Sequence, residues 1–429
     1  MRRHVCRLCF GLVLVLSAPA LKAQEPAAPR LSLEQALQTA FERSPEIVAR
    51  RAEVEEFRAR LATARTYPYN PEVSVQGARR SGPGGVDADR GLGVSQEIEI
   101  GGQRGRRVAV AEAFLAAGEA RFQRDQRVLA GRVALAFADA VRARELLRIE
   151  ETDAGLARGL LNIEAKRLEA GKATQIELNL ARAAAGRSVR RVELAKGAYL
   201  EARSVLAEVM GILPAAPPEP LGDLADFVAP GSAALPPLAE LVRLALANRE
   251  DLAAFRSEEE AARAEIALER SLARPNLVAR AFQERESGTD DLAGVGLAIA
   301  IPLFNRNRGR IAEAGAAAQR VAAEGAVARL AVEREVASAY AVFQASSAAA
   351  RGLGEQVIGS LEENLGLLQR SMEAGKISRT EVFLLRREFV ESQREYLDAL
   401  SVAWRAQVQL DLAAGRLPIP NPTNRSLEP

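Results

Sequence analysis

Two ten-residue stretches of the chain, "EAGKATQIEL" at 169–178 and "EAGKISRTEV" at 373–382, carry the same residue at five positions and lie 204 residues apart. Glycine adopts the backbone that reverses a helix without steric penalty. Thr174 and Ser378, three residues later, are natural N-caps for a returning helix, and Glu177 and Glu381 complete a capping-box pattern. Each stretch therefore predicts a tight turn between two helices.

Other segments repeat at the same distance. "NPEVSV" at 70–75 parallels "RPNLVA" at 274–279, and "RGRRVAVAEA" at 104–113 parallels "RGRIAEAGAA" at 308–317. A fixed period of this kind indicates an internal duplication. We expect a first repeat at 31–213, a proline-rich connector at 214–237, a second repeat at 238–415 and a C-terminal tail at 416–429.

The first residues have the pattern of a secretory signal. Arg2, Arg3 and Arg7 precede an apolar run at 8–16, which is followed by small residues. We expect residues 1–23 to be a signal peptide. The alternative is a short membrane anchor, but the run has about half the length needed to span a bilayer.

This signal peptide contains both cysteines, Cys6 and Cys9, and the only histidine, His4. The remaining chain therefore lacks the side chains used for thiolate or imidazole catalysis and those preferred by zinc, cobalt, nickel and copper. Arginines alternate with glutamates, so no basic face for nucleic acid is predicted. We expect no enzyme activity, no cofactor and no resident metal.

Proline is absent from 84–213 and from 303–417. Since proline costs about 3 kcal/mol inside a helix, its absence permits very long helices. Apolar or small residues recur at intervals of three and four from Val108 to Leu147, which is coiled-coil spacing. We predict one continuous helix from Gln103 to Leu168, about 100 Å long.

Between the helices of each repeat lie two short blocks with alternating apolar residues. The first repeat has "EVSVQGARR" and "GLGVSQEIEI", and the second has "NLVARAFQER" and "AGVGLAIAIPLF". Each block predicts a strand of about ten residues, long enough to cross an outer membrane when tilted. Four strands do not close a barrel and open edges are not tolerated in lipid, so we expect several chains to pool their strands.

This arrangement resembles the TolC-type outer-membrane efflux proteins over residues 31–415. "SQEIEIGGQRGRRVAVAEA" at 95–113 and "IPLFNRNRGRIAEA" at 301–314 resemble the heavy-metal-efflux, CzcC-like branch. The resemblance implies a mainly α fold with a small β part. In that fold, duplicated long-helix hairpins form a periplasmic α-barrel, and four strands per chain contribute to a transmembrane β-barrel shared within a trimer.

The resemblance also implies a function and partners. The chain would be a passive exit duct in the outer membrane, conducting substrate, heavy-metal cations above all, and surrounded by outer-membrane lipid. Its partners would be two further copies of itself, a periplasmic adaptor (membrane fusion) protein and an inner-membrane pump of the resistance-nodulation-division type. An organic-solute or drug duct of the same fold, and a periplasmic coiled-coil adaptor or scaffold, remain alternatives.

Three groups of site residues follow from the resemblance. A periplasmic tip that contacts the adaptor comprises Arg167, Gly171, Lys172, Thr174, Gly375, Lys376 and Ser378; the second tip has Ser371 where the first has Arg167. Glu177 and Glu381 match an acidic ring at the aperture, although helix capping alone also accounts for them. Tyr67, Tyr69 and Phe304 are candidate membrane-interface aromatics, with ordinary packing as the alternative. Trp404, on the last helix, is expected in the core.

Overall fold

Two sets of elements follow one another in the same order in the computed structural model, which describes residues 30–82, 85–213, 217–225, 235–286, 290–355, 367 and 379–417. Each set has two helices, two strands, a long helix and a returning helix. The first set is α1 (Leu33–Arg43), α2 (Pro45–Arg65), β2 (Glu72–Gly82), β3 (Gly85–Ile98), α3 (Gln103–Glu169) and α4 (Gln175–Val209). The second is α5 (Leu238–Asn248), α6 (Glu250–Leu272), β5 (Leu277–Glu286), β6 (Asp290–Ile299), α7 (Arg308–Leu353) and α8 (Arg379–Ala413). Two short strands, β1 (Arg30–Leu31) and β4 (Glu219–Pro220), pair in parallel.

The long helix predicted from Gln103 is confirmed, since α3 runs without interruption to Glu169 over 67 residues, or about 100 Å. It begins after Gly102, whose left-handed backbone (φ 77°) turns the chain out of the sheet. Small residues let neighbouring helices approach α3 closely. A Cβ added at Gly118 would lie 2.6 Å from the Phe57 ring, and one at Gly131 would lie 2.7 Å from Leu412 Cδ1.

The main core surrounds the middle of α3, where Leu129, Val133 and Phe137 are almost completely buried. Trp404 of α8 packs into the same cluster, as the sequence predicts, and its indole Nε1 donates a hydrogen bond of 3.2 Å to the carbonyl of Ala134. Because α1, α2, α4, α6 and α8 all pack on α3, this one helix organises most of the described fold.

Equivalent helices make equivalent contacts within the two sets. The pairs α2–α3 and α3–α4 of the first set correspond to α6–α7 and α7–α8 of the second. The two sets meet at three joints, α3–α6, α3–α8 and β3–β5. The counterparts of these joints would be α7–α2, α7–α4 and β6–β2, and none of the three is a packed pair in the part of the chain that the structure describes.

The four long strands form one antiparallel sheet in the order β2–β3–β5–β6. Its register places Val73 opposite Val94 and Val94 opposite Ala281, which pairs with Val295. Since successive side chains point to opposite faces, one face is mainly apolar and the other carries Ser74, Gln76, Glu97, Arg280 and Glu284. The predicted alternation of the strands is confirmed.

The apolar face of the sheet is open to the surroundings. Val75, Val295 and Leu297 are 80%, 87% and 74% exposed, and they belong to one contiguous apolar face of the kind that marks an interaction or membrane-facing surface. Within the described part of the chain, no helix combines the length and the hydropathy that crossing a bilayer requires.

Candidate functional site

The turn between α3 and α4 is a helix-terminating motif centred on Gly171. Gly171 has a left-handed backbone (φ 68°), and its N–H donates to the carbonyl of Leu168 at 2.9 Å. The N–H of Lys172 donates to the carbonyl of Arg167 at 2.7 Å, which completes the Schellman pattern. Arg167 closes the turn further, because its Nη2 donates to the carbonyl of Lys172 at 3.4 Å.

The predicted capping box at the start of α4 is confirmed. The N–H of Glu177 donates to Thr174 Oγ1 at 3.3 Å, and the N–H of Thr174 donates to Glu177 Oε2 at 2.7 Å. The Thr174 hydroxyl also donates to Oε2, at 3.1 Å. The carboxylate of Glu177 is thus held at the base of the turn, and Ile176 beside it is 79% exposed.

The expected second turn lies outside the described residues. Gly375, Lys376 and Ser378 lie outside the described residues, so their predicted contacts stay predictions. Glu381 stands in the first turn of α8 and is exposed.

The three candidate aromatics occupy different surroundings. The Tyr67 hydroxyl donates to the carbonyl of Glu97 at 2.8 Å and accepts from the N–H of Glu99 at 3.0 Å. Tyr69 accepts from Asn276 Nδ2 at 3.0 Å, which joins the two sets of elements, and burial, with help from Glu97, raises the pKa of its phenol. Both tyrosines therefore make specific contacts where helices meet the sheet, whereas Phe304 is fully exposed.

A polar junction beneath the sheet was not predicted from the sequence. Gln103, 1% exposed, donates to Asn276 Oδ1 at 3.0 Å and accepts from the N–H of Gly101 at 2.8 Å. Asn276 Nδ2 also donates to Glu97 Oε1 at 2.7 Å. The sequence did contain a signal, which is the glutamine directly after the glycine pair between a strand and a helix. The N–H groups of a turn at this position need hydrogen-bond partners, and the glutamine side chain can supply one.

A buried ionic cluster lies on the part of α3 that leads to the turn at Gly171. Two carboxylates of α3, Glu150 and Asp153, are 4% and 3% exposed. Arg386 of α8 donates from Nε to Asp153 Oδ1 at 2.8 Å and from Nη2 to Ser188 Oγ of α4 at 3.1 Å. The cluster therefore joins α3, α4 and α8.

Two more arginines complete this cluster. Arg191 of α4 bonds both carboxylates, and Arg394 of α8 bonds Glu150. Burial alone would lower the pKa of Arg191, but its hydrogen bonds to Asp153 and Glu150 outweigh that effect and raise it. The guanidinium therefore stays charged and keeps the buried carboxylates paired.

Among the residues that the structure describes, four ion pairs link α3 to α8. They are Arg386–Asp153, Arg394–Glu150, Arg142–Asp398 and Arg405–Asp139. The joint is thus fixed by charge along about 14 residues of α3 as well as by the apolar core.

Metal ligands of the usual kinds are not grouped in the described residues, because no three His, Cys, Asp or Glu side chains there are arranged to hold an ion. The described residues offer instead a two-faced sheet at one end of α3 and the turn at Gly171 at its other end.

Comparison with known proteins defines the class. The family described as "Outer membrane efflux protein" matches residues 36–212 and again 241–416. The chain belongs to this family: it is an efflux channel of the TolC type, located in the outer membrane, and not an enzyme.

The chain is similar to individual metal-resistance proteins and to solved outer-membrane channels. The chain is 26% identical over 398 residues to the cobalt-zinc-cadmium resistance protein CzcC of Cupriavidus metallidurans, with 92% of each chain covered. It is 31% identical over 358 residues to the nickel and cobalt resistance protein CnrC of the same organism, covering 80% of each. Among solved structures, the CusC channel superposes with a TM-score of 0.74 at 18% identity, covering 89% of this chain and 91% of CusC. VceC of Vibrio cholerae gives 0.69 at 19% identity, covering 89% and 96%.

The buried cluster generates a stability prediction. Asp153→Ala would leave the guanidinium of Arg386, 9% exposed, without its carboxylate. Removing one partner of a buried pair costs about 3–5 kcal/mol, so the melting temperature of the helical circular-dichroism signal should fall clearly. Glu324→Ala is the matched control, because it breaks a pair with Arg320 on the exposed surface of α7, where a loss below about 1 kcal/mol is expected. Equal melting temperatures of the two variants would contradict a structural role for the cluster.

Proposed function

We propose that the chain is the outer-membrane exit duct of a tripartite system that exports heavy-metal cations. The observation that carries this is a two-faced sheet with an exposed apolar face, continued by helices long enough to cross much of the periplasm. The relatives whose names specify cobalt, zinc, cadmium and nickel resistance support the choice of cargo. The adaptor and the resistance-nodulation-division pump would supply selection and energy, since this chain contributes neither a catalytic site nor a grouped set of metal ligands in its described part.

The duct is proposed to be a homotrimer, in which twelve strands form one barrel. The internal repetition supports cyclic assembly, because each joint between the two sets has a counterpart that only a neighbouring chain could complete. The joint β3–β5 has as its counterpart β6 against β2 of the next chain. Pairing there would also satisfy the two sheet edges, which lipid does not tolerate open.

The same logic fixes a register. Ile98 lies opposite Leu277 in β3–β5. Ile299, in "AIAI" at 298–301, is the equivalent of Ile98, in "EIEI" at 97–100. Val73 is the equivalent of Leu277, which lies 204 residues further along the chain. Ile299 of one chain is therefore proposed to lie opposite Val73 of the next.

Disulfide formation tests this register. With Val73→Cys and Ile299→Cys combined, the expected product under oxidation is a covalently linked trimer on denaturing gels, because directly opposed antiparallel residues lie within the Cα separation that a disulfide requires. The expected signal peptide takes away both native cysteines, so no background bonding is expected.

The control pairs Ile299→Cys with Ser74→Cys. Ser74 is the residue after Val73 and points to the opposite face of the strand, so the disulfide with position 299 should not form. Linkage of position 299 to position 75 instead of 73 would overturn the register. Absence of any product between β2 and β6 would overturn the shared sheet.

Growth on metals tests the cargo and the tip. Expressed in Cupriavidus metallidurans lacking CzcC, the chain should restore growth at zinc, cobalt and cadmium concentrations that arrest the deletion strain. Gly171→Pro should abolish this while trimers still form, because proline fixes a negative φ where the turn has 68°. Gly171→Asn is the matched control and should keep resistance, since asparagine tolerates this conformation.

Two outcomes would contradict these assignments. Wild-type trimers that reach the outer membrane but protect only against organic solutes would replace the metal cargo with an organic one. Full metal resistance of the Gly171→Pro strain would show that the first tip, including Arg167, Lys172 and Thr174, is not needed for adaptor binding.

Glu177 and Glu381 are proposed to form an acidic ring of six carboxylates at the periplasmic aperture. Replacing both by Gln should lower the preference for cations in single-channel recordings, most strongly in dilute electrolyte, because screening is weak there. Gln still serves in a capping box, so stability should change little. Glu193→Gln, on α4 but away from the turn, is the control. Loss of thermal stability with an unchanged ion preference would show that the pair only caps helices.

A further inference from the structure

The apolar face of the sheet carries charge at only one of its ends. Next to the helices, this face has Ile98 opposite Leu277 and Leu277 opposite Ile299. Among the described strand residues that share the face, the charged ones all lie at the end away from the helices, namely Arg79, Arg90, Arg285 and Asp291. We call the three arginines the outer arginine cluster.

The strand register sets these arginines side by side. Arg90 of β3 lies directly opposite Arg285 of β5. Arg79 of β2 stands two residues beyond Gly77, which is the partner of Arg90. Directly opposed side chains on one face have Cβ atoms about 5 Å apart, and diagonal neighbours are about 7–8 Å apart, within reach of long side chains. The three guanidinium groups can therefore converge on one small anion.

A single carboxylate is available to this cluster within the described face. Asp291, opposite Arg285, accepts from its Nε at 2.6 Å and from its Nη2 at 2.8 Å. Arg79 and Arg90 are exposed, and the side chain of neither is hydrogen-bonded or ion-paired to another residue that the structure describes. Like charges directly opposite one another destabilise a sheet, so the pair Arg90–Arg285 favours an anion from outside the chain.

Assembly into the proposed trimer would not remove this excess of positive charge. The register proposed for β6 against β2 places Ala293 of one chain opposite Arg79 of the next, with Asp291 two residues away from Ala293. Arg79 would then approach the neighbour's carboxylate, but three arginines would still share one carboxylate in every chain.

The height of the cluster on the sheet matches a membrane interface. Eight residues separate Arg90 from Ile98, and eight separate Leu277 from Arg285, which is about 27 Å along a strand. At the usual tilt of about 35–45° this gives a rise of about 20 Å, close to the apolar band of about 25 Å on outer-membrane barrels. Arginine on the lipid-facing side is costly at mid-membrane and is tolerated at the interfaces. Because the long helices lie in the periplasm, the cluster lies at the external interface.

Phosphate is the anion that this arrangement fits best. Guanidinium groups bind phosphate oxygens through paired hydrogen bonds, and basic clusters at membrane interfaces recognise lipid head groups. The external leaflet of an outer membrane consists of lipopolysaccharide, whose lipid A carries phosphates on a sugar directly above its acyl chains. One row below the cluster, Val75 and Leu92 are 80% and 54% exposed, which suits contact with those chains.

We infer that the outer arginine cluster binds a phosphate group of lipopolysaccharide, with the acyl chains of the same molecule against Val75 and Leu92. The inference goes beyond the proposed function and is independent of the cargo. It uses the outer-membrane location and the apolar face of the sheet.

Binding of lipid A to the purified full-length protein in detergent tests this. The probes are fluorescently labelled lipid A and the same lipid with its phosphates removed. The wild type should bind the phosphorylated form about tenfold more tightly or better. Arg90→Gln should weaken binding of that form by about tenfold and leave binding of the dephosphorylated form unchanged. Arg79→Gln, at the edge of the cluster, should weaken it by about threefold and decides the question if Arg90→Gln does not assemble.

Arg280→Gln is the matched control. Arg280 is also an exposed arginine of β5, but its side chain is on the opposite face of the sheet, so this variant should bind lipid A as the wild type does. Equal binding of the two forms of lipid A by the wild type would overturn the inference. So would undiminished binding by both Arg90→Gln and Arg79→Gln, or an equal loss in Arg280→Gln.

Two competitors distinguish the sources of phosphate. Phosphatidylglycerol and inorganic phosphate should each displace lipid A only weakly. Competition by phosphatidylglycerol as strong as that by unlabelled lipid A would replace the inference with a general anionic-lipid interface. Displacement by inorganic phosphate alone would replace it with a site for free anions. Metal resistance is measured separately, so failure here leaves the exit-duct proposal standing.

Discussion

Close approach of five helices to α3 is the constraint on which the rest of the described structure depends. It requires small residues, because a Cβ at Gly118 or Gly131 would collide with Phe57 or Leu412. Interiors are packed tightly enough that such collisions force neighbours to move. The helices α2 and α6 pack against the part of α3 nearer the sheet, and α4 and α8 pack against the rest of it. The single helix α3 therefore fixes where the turn at Gly171 lies relative to the sheet.

Features encoded within one element could be predicted from the sequence. The limits of α3 follow from the absence of proline and from glycines at both ends, and the cap at Thr174 needs only the residue three positions later. The strands were predictable because alternation recurs at a fixed distance. Each of these signals can be read from the order of residues alone, so it was not necessary to know which element packs against which.

The ionic cluster could not be predicted in the same way. Glu150 and Asp153 look like ordinary charges on a solvated helix until the rotation of α3 is known. Their partners on α8 are Arg394 for Glu150 and Arg386 for Asp153, and Arg386 lies 233 residues beyond Asp153. The contact of Gln103 with Asn276 likewise joins residues from different sets of elements. The glycine pair before Gln103 indicates a turn that needs hydrogen-bond partners, but it does not identify Asn276 as the partner. Of the candidate site, the first turn was therefore predictable in detail, whereas the buried ionic cluster depends on how three helices assemble.

The duplicated chain has a consequence for symmetry. In a ring built from one small unit, every joint would be identical and a substitution would alter all of them together. Here two of the four ion pairs between α3 and α8 have lost both partners at the matching positions: Asp139 corresponds to Phe343, Arg142 to Ser346, Asp398 to Leu194 and Arg405 to Glu201. The other two pairs have lost their carboxylates, because Gly354 and Val357 match Glu150 and Asp153. In the proposed trimer, fusion of two units would thus let a single gene specify alternating joints around a ring, with half the joints free to diverge while the others keep their charges.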